Sequence, residues 1–116
     1  MYGLPADFDA SGFVNRELVE VCFTVNTVHL AFDDDASITL ESAFALRSHQ
    51  GAERQTPPIK ASRLMGLIGQ RVRSSHAHPD GTLTLEFEEG DALDCLDDSK
   101  EYESYKIRVD GREFIV

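Results

Sequence analysis

The chain has 116 residues, enough for one domain with a modest core and too few for two ordinary domains. Its 21 Asp and Glu residues outnumber 11 Lys and Arg residues, and the net charge of -10 at pH 7 disfavours binding to nucleic acids and to anionic membranes. A hydrophobic content of 41% and a charged content of 28% exclude an intrinsically disordered chain. The acidic balance suits a basic protein partner or simple solubility.

The N-terminal residues 1–10 lack the basic region and apolar core of a signal peptide, and no later segment approaches membrane-spanning length. Cys22 and Cys95 are far apart and show no CxxC spacing, so we interpret them as reduced, partly buried thiols. These features predict a cytoplasmic protein.

The first clear pattern begins at Glu17, after an irregular lead-in. Apolar residues then alternate with others at Val19, Val21, Phe23 and Val25, which indicates a strand with one buried face. A two-residue turn at 26–27 would place Val25 opposite Val28, Phe23 opposite Leu30 and Val21 opposite Phe32. All six side chains would then share one face.

The middle of the chain predicts one long strand, a loop and a short helix. The strand runs from Ser37 to about Arg47, after an acidic turn at 33–35. Residues 48–58 are polar, contain glycine and end in two prolines, so we expect a loop there. The spacing of apolar residues in 60–70 predicts a short helix.

The second half contains two further hairpins. Leu83, Leu85 and Phe87 alternate with polar residues between turns at Asp80-Gly81 and Gly90-Asp91. A hairpin over 102–116 turns at 110–111, with Ile107 opposite Phe114, Tyr105 opposite Val116 and Arg108 opposite Glu113.

Residues 13–47 and 67–96 form an approximate internal repeat, in which LAFDD from Leu30 matches LEFEE from Leu85. We therefore predict a single domain over 1–116, mainly β, with antiparallel hairpins from a duplicated unit closing into a small barrel or sandwich and at most one short helix. The predicted core is Val21, Phe23, Leu30, Phe32, Ile38, Leu40, Leu83, Leu85, Phe87, Ile107 and Phe114.

Three segments carry a resemblance to a known family. They are the opening MYGLP with Asp7 and Phe8, the central GTLTLEF from Gly81, and the closing YESY from Tyr102 with Ile107, Gly111 and the final Ile-Val. The chain resembles a family of short, uncharacterised bacterial proteins over its whole length. The resemblance implies a bacterial cytoplasmic origin and a single domain, and it transfers no catalytic residue.

His76 and His78 are the most suggestive candidates for chemistry. Residues two apart in a strand face the same way, so both imidazoles would reach one metal ion. A two-residue turn at 80–81 would place them on the face of Leu83 and Leu85, and a three-residue turn would place them on the opposite, wet face. No spacing motif supplies a third ligand.

A second set of candidates is acidic. The outward positions of the second repeat and the segment after it are rich in carboxylates, with a tyrosine beside them, and we expect them to form a partner-binding surface: Glu86, Glu88, Asp91, Asp94, Asp97, Asp98 and Tyr102. Solvation of an exposed strand is the simpler interpretation of any one of them.

The sequence contains no glycine-rich phosphate loop, no GxSxG and no HExxH, so we expect no catalytic residue and no cofactor. Two hypotheses remain. The first is a non-enzymatic interaction module whose acidic face binds a basic protein, as an immunity or regulatory protein would. The alternative is a small-molecule or metal-binding domain that uses His76 and His78. Both are compatible with a monomer or a homodimer.

Overall fold

The structure is a computed structural model that describes residues 4–59, 62–98 and 103–116. Within these residues ten strands form two five-stranded antiparallel sheets, which are not closed into a barrel. The mainly β, antiparallel prediction is confirmed. The strands are β1 (Leu18–Phe23), β2 (Val28–Phe32), β3 (Ser37–Leu40), β4 (Phe44–Ser48), β5 (Gly51–Gln55), β6 (Val72–Ala77), β7 (Leu83–Phe87), β8 (Ala92–Cys95), β9 (Tyr105–Val109) and β10 (Arg112–Ile115).

The helical content of the described residues is limited to two 3₁₀ helices, Ala10–Phe13 and Leu64–Leu67. The second lies inside the predicted helix of 60–70, whose first two residues are outside the described part. The first falls in the segment for which we expected an irregular lead-in. No helix in the described ranges is long and apolar enough to cross a membrane.

Each half of the chain contributes a hairpin to the other half's sheet. The first sheet has the order β1-β2-β3-β9-β10 and the second the order β5-β4-β8-β7-β6. The C-terminal hairpin β9–β10 therefore completes the first sheet, and the β4–β5 hairpin completes the second. The two halves are joined by this reciprocal exchange.

The two sheets have the same spatial order of elements: three consecutive strands followed by a hairpin from the other half of the chain. A 3₁₀ helix precedes β1 and β6, and both strands have a register irregularity near their start, between Leu18 and Glu20 and between Val72 and Ser74. Leu18 N donates to Gln70 O at 3.0 Å, and Val72 N donates to Arg16 O at 2.9 Å, so the strand starts contact each other reciprocally. Duplication over 13–47 and 67–96 stays a prediction about how this arrangement arose.

The predicted register of the first hairpin was wrong by two residues. Phe23 lies opposite Val28 and Val21 lies opposite Leu30. The side chains keep their predicted face, because a shift of two residues matches the period of a strand.

The turn of that hairpin explains the shift. Thr24 N donates to Thr27 O at 2.9 Å, and the two hydroxyl oxygens lie 2.6 Å apart, so 25–26 and not 26–27 is the centre of the turn. Val25 is consequently 78% exposed, which contradicts its predicted place on the buried face.

The long strand predicted from Ser37 to Arg47 is two strands in different sheets. The backbone N–H groups of Glu41 and Ser42 both donate to Ser104 O at 3.0 Å, and the chain crosses between sheets at this point. The apolar pattern continues through the crossing because β3 and β4 both face the core. The loop predicted at 48–58 contains β5, an edge strand whose side chains are largely exposed and therefore lack an apolar pattern.

The core lies between the two sheets and is larger than predicted. Most of the predicted members are buried, but Val21, Phe23 and Phe114 are only partly buried because each belongs to an edge strand. The predicted list omitted several fully buried residues, including Phe13, Leu18, Phe44, Leu64 and Leu67.

Candidate functional site

His76 and His78 lie on the outer face of the second sheet, at the end of β6, and both are exposed. The connection to β7 is a three-residue turn, because Ala77 lies opposite Leu83 and His78 N donates to Thr82 O at 2.9 Å. Of the two registers that the sequence allowed, the structure has the one that directs both imidazoles away from the core.

The hydrogen bonds of these histidines fix which nitrogen carries hydrogen. His76 Nε2 lies 3.1 Å from Glu86 Oε1, and a carboxylate only accepts, so Nε2 donates. Thr84 donates its single hydroxyl hydrogen to Asp94 Oδ1 at 2.6 Å and therefore accepts from His78 Nε2 at 3.0 Å. In both rings Nδ1 is left for another partner.

Arg47 binds the same carboxylate as Thr84 and so extends a row of hydrogen-bonded side chains that runs from His78 through Thr84 and Asp94. Its Nε and Nη2 donate to the two Asp94 oxygens at 2.8 Å and 3.0 Å, a bidentate geometry that neutralises the carboxylate. A shallow depression of about 530 Å³ lies over the row and is lined in part by Arg47, His78, Thr84 and Asp94.

Three of the predicted acidic residues are paired with arginine. Asp94 pairs with Arg47, Asp98 pairs with Arg54, and Glu86 lies 3.9 Å from an Arg73 guanidinium nitrogen. Hydrogen bonding from Ser74, followed by that from His76, lowers the pKa of Glu86, so it is ionised at neutral pH. These pairs reduce the field that the three carboxylates project.

The remaining predicted acidic residues lie at two places. Glu88 and Asp91 belong to the β7–β8 turn, whereas Asp97 follows β8 and accepts a hydrogen bond from Ser104 Oγ at 3.1 Å. Tyr102 lies outside the described residues. The described members of the predicted set thus lie on the outer face of the second sheet, in the β7–β8 turn and in the segment after β8.

The described residues contain no group of three or more His, Cys, Asp or Glu side chains placed to hold a metal ion. Two titratable groups, Cys95 and Tyr105, are fully buried. Burial raises the pKa of the Cys95 thiol and of the Tyr105 phenol, so both are neutral at physiological pH. The Tyr105 hydroxyl donates to Gly81 O at 2.5 Å.

The edge strands β1 and β6 occupy equivalent places in the two sheets but differ in chemistry. On β1, Val19 is 48% exposed, and Val21 and Phe23 are only partly buried. The equivalent positions of β6 carry polar or small side chains: Arg73, Ser75 and Ala77. The apolar character of β1 is therefore not a requirement of the topology.

Two further apolar side chains lie beside β1. Met65 is 61% exposed and Ile68 is 44% exposed, and the next residue, Gly69, donates its N–H to Leu18 O at 2.8 Å. Met65 and Ile68, together with the apolar residues of β1, make up a surface that we call the β1 edge. It is defined as Val19, Val21, Phe23, Met65 and Ile68.

A group of carboxylates borders the start of β1. Arg71 lies 3.6 Å from Glu17 and 3.8 Å from Asp33, and its backbone N–H donates to Glu88 Oε1 at 3.2 Å. Arg16 lies 2.9 Å from Asp110 and 4.0 Å from Asp34. We call these five carboxylates the acidic end: Glu17, Asp33, Asp34, Glu88 and Asp110. Two guanidinium groups do not balance them, so this surface is negative.

A cavity of about 700 Å³ lies on the outer face of the first sheet. His29, Ser37 and Arg108 line one part of it, and Asp34 and Asp35 of the β2–β3 turn line another. His29 Nδ1 lies 2.9 Å from Thr39 Oγ1, which leaves Nε2 without a described partner.

Sequence reasoning assigned no role to Arg47 and Arg108, although each occupies an outward position of its strand, and it considered His29 only as a possible third ligand for His76 and His78. The alternation within one strand indicates its outward positions. Only the pairing of β4 with β8 and of β9 with β3 shows which outward side chains meet, and these partners are far apart in sequence.

A family model described as a family of unknown function, DUF6188, matches residues 12–116. No curated protein matches the chain, and no solved structure matches it.

Proposed function

We propose that this chain, which belongs to the DUF6188 family of unknown function, is a non-catalytic module that binds a basic protein partner at the β1 edge. The observation that carries the proposal is the difference between β1 and β6. At equivalent positions of the two edge strands, β1 carries Val19, Val21 and Phe23. The strand β6 carries Arg73, Ser75 and Ala77.

An apolar edge strand invites an added strand. Its free N–H and C=O groups pair with an extended segment, and proteins that have no use for such pairing place charged side chains on the edge. Arg73 on β6 is such a charge, whereas its counterpart Val19 is apolar and half exposed. An extended segment of a partner along β1 would cover Val21 and Phe23.

The acidic end supports a basic partner. Its carboxylates lie where β1 begins, and Glu20 on β1 is also exposed. Such a field attracts Lys and Arg residues and speeds encounter at low ionic strength. Of the predicted acidic residues, Glu88 belongs to this surface, and the arginine-paired Glu86, Asp94 and Asp98 contribute less. An immunity protein and a regulatory protein are two specific forms of this function, in a bacterial cytoplasm.

The test compares partners captured from the native host by mass spectrometry. The double variant Val19→Arg/Met65→Ser gives the β1 edge the residues found at the equivalent places, Arg73 and Ser11. We expect it to lose a partner that the wild type retains, while its circular dichroism spectrum stays unchanged. Arg73→Ala on β6 is the matched control and should retain the partner. Equal capture by the wild type and the double variant would contradict the proposal.

A second candidate function is metal binding by His76 and His78. It is favoured by the two Nε2–H bonds to Glu86 and Thr84, since histidine ligands commonly donate their other N–H to an acceptor. Water or a partner would supply the third ligand. Titration with Zn²⁺ followed by NMR of the imidazoles tests it, and equal binding by His76→Ala/His78→Ala would exclude it.

A further inference from the structure

Arg47 and Arg108 hold equivalent positions in the two sheets. Arg47 on β4 lies opposite Ala92 of β8, and Arg108 on β9 lies opposite Ser37 of β3. One strand further, Ala92 lies opposite Glu86 and Ser37 lies opposite Ala31. The second sheet therefore shows which partners an arginine acquires at this position.

Within the described residues, Arg47 has a carboxylate partner and Arg108 has none. Arg47 binds Asp94 through two hydrogen bonds, of 2.8 Å and 3.0 Å. Thr39 stands at the position equivalent to Asp94, and its hydroxyl is engaged with His29. Arg108 forms no ion pair with any residue in the described part of the chain, although Glu113 lies opposite it on β10.

The two arginines also differ in the side chain two strands away. Ala31 stands where the second sheet has Glu86, and the cavity of about 700 Å³ extends over Ala31 and Ser37 to Arg108. This volume lies within the range of small-molecule sites. A ligand oxyanion in this cavity would reach the Arg108 guanidinium, with the Ser37 hydroxyl as a further donor. His29 Nε2 is another donor in the tautomer whose Nδ1 accepts from Thr39 Oγ1.

The turn beside the cavity gives the ligand a second requirement. Asp34 and Asp35 line it, both with left-handed backbone angles, φ 56° and 62°. The Asp34 side chain is 88% exposed and its nearest cation is an Arg16 nitrogen at 4.0 Å. A purely anionic ligand would be repelled by these carboxylates, whereas a ligand with a separate ammonium group would be attracted.

We propose that this cavity is a binding site for a small amino acid, whose carboxylate occupies the place at Arg108 that Asp94 occupies at Arg47 and whose side-chain ammonium group faces Asp34 and Asp35. The site is distinct from the β1 edge and does not depend on the protein-binding function, although it shares Asp34 with the acidic end. The chemical class is that of free amino acids with a side-chain amine.

The probe is L-lysine, added to the isotope-labelled full chain and followed by amide chemical shifts. We expect the shifts to move at Ala31, Ser37 and Gly111 and to stay constant at the equivalent sheet positions Glu86 and Ala92. Arg108→Gln should weaken lysine binding about tenfold or more, because it removes a charge-assisted pair. Arg47→Gln, the matched control in the other sheet, should leave lysine affinity unchanged.

Two analogues separate the two halves of the proposal. 1,5-Diaminopentane is lysine without its carboxylate, and acetate is a carboxylate without an ammonium group; both should bind at least about tenfold more weakly than lysine. Absence of lysine binding at millimolar concentration overturns the proposal. So does equal binding of 1,5-diaminopentane, or a wild-type affinity in Arg108→Gln.

Discussion

Gly81 is the residue at which backbone conformation and packing both exclude a side chain. Its φ is +91°, and a Cβ there would overlap the Asp97 side chain. Gly51 also has a positive φ, +112°, but no atom lies within 4 Å of an added Cβ. A side chain added at Gly51 would meet backbone strain alone, whereas one added at Gly81 would meet both backbone strain and steric overlap.

We expect Gly51→Ala to cost about 1–2 kcal/mol of unfolding free energy, from strain alone. Gly81→Ala should cost about 1–3 kcal/mol more, because Asp97 must also move. Urea denaturation of both variants measures the difference, and equal losses would show that Asp97 does not restrict this position.

Glu41 is a carboxyl group whose environment disfavours its charge. Its Oε2 is buried without a described hydrogen-bond partner. Burial raises its pKa, the nearby Glu103 adds to this effect, and Lys106 opposes it. A carboxyl group with a raised pKa in the folded state stabilises the fold most below its unfolded pKa, near 4.5, and this contribution is lost as the pH rises through the folded pKa.

Glu41→Gln should therefore raise the melting temperature at pH 7, and its advantage should disappear below about pH 4. Glu113→Gln, at an exposed position, is the control and should change little at either pH. A melting temperature at pH 7 that falls in Glu41→Gln would contradict the expected direction.

At the scale of single elements, turn chemistry determined which registers were predictable. The 110–111 turn gave the correct pairs, Ile107 with Phe114 and Arg108 with Glu113. Asn26 favoured the turn at 26–27, but the hydrogen bonds between Thr24 and Thr27 move it by one residue. The contact between the Thr24 and Thr27 side chains therefore determines the turn more strongly than the backbone preference of Asn26.

The irregularity at the start of β1 also escaped the alternating pattern. It places Leu18 opposite Phe32 and fully buries it, while Val19 turns outward. We expect Leu18→Ala to lower the unfolding free energy by about 2–5 kcal/mol and Val19→Ala to lower it by about 1 kcal/mol or less. Chemical denaturation of the two variants decides the register, since an uninterrupted alternation would reverse their order.

The candidate site was less predictable than the fold, for a reason that also belongs to the elements. Outward positions such as Arg47, Asp94 and Arg108 follow from alternation within each strand. Whether an arginine meets Asp94 or Thr39 depends on pairing between strands from different halves of the chain. Short-range patterns carry no information about that pairing.

At the scale of the whole molecule, the exchange of hairpins makes each half depend on the other. Without β8, strand β4 loses one of its two neighbours, and without β9, strand β3 does too. We expect residues 1–59 alone to show no cooperative unfolding as a monomer, and an equimolar mixture with residues 60–116 to recover the β-type circular dichroism spectrum of the intact chain. A monomeric 1–59 fragment with a cooperative transition would contradict this.

The exchange of hairpins also determines when each sheet can be completed during translation. When β4 and β5 leave the ribosome, β8 has not yet been translated. The edge of β4 that pairs with β8, which includes Phe44 and Leu46, is therefore still unpaired. The first sheet is completed later, because β9 and β10 follow β8 in the chain. The nascent protein thus carries two incomplete sheets until β8 has been translated and one incomplete sheet until β9 and β10 follow, and this interval is when a chaperone has most to protect.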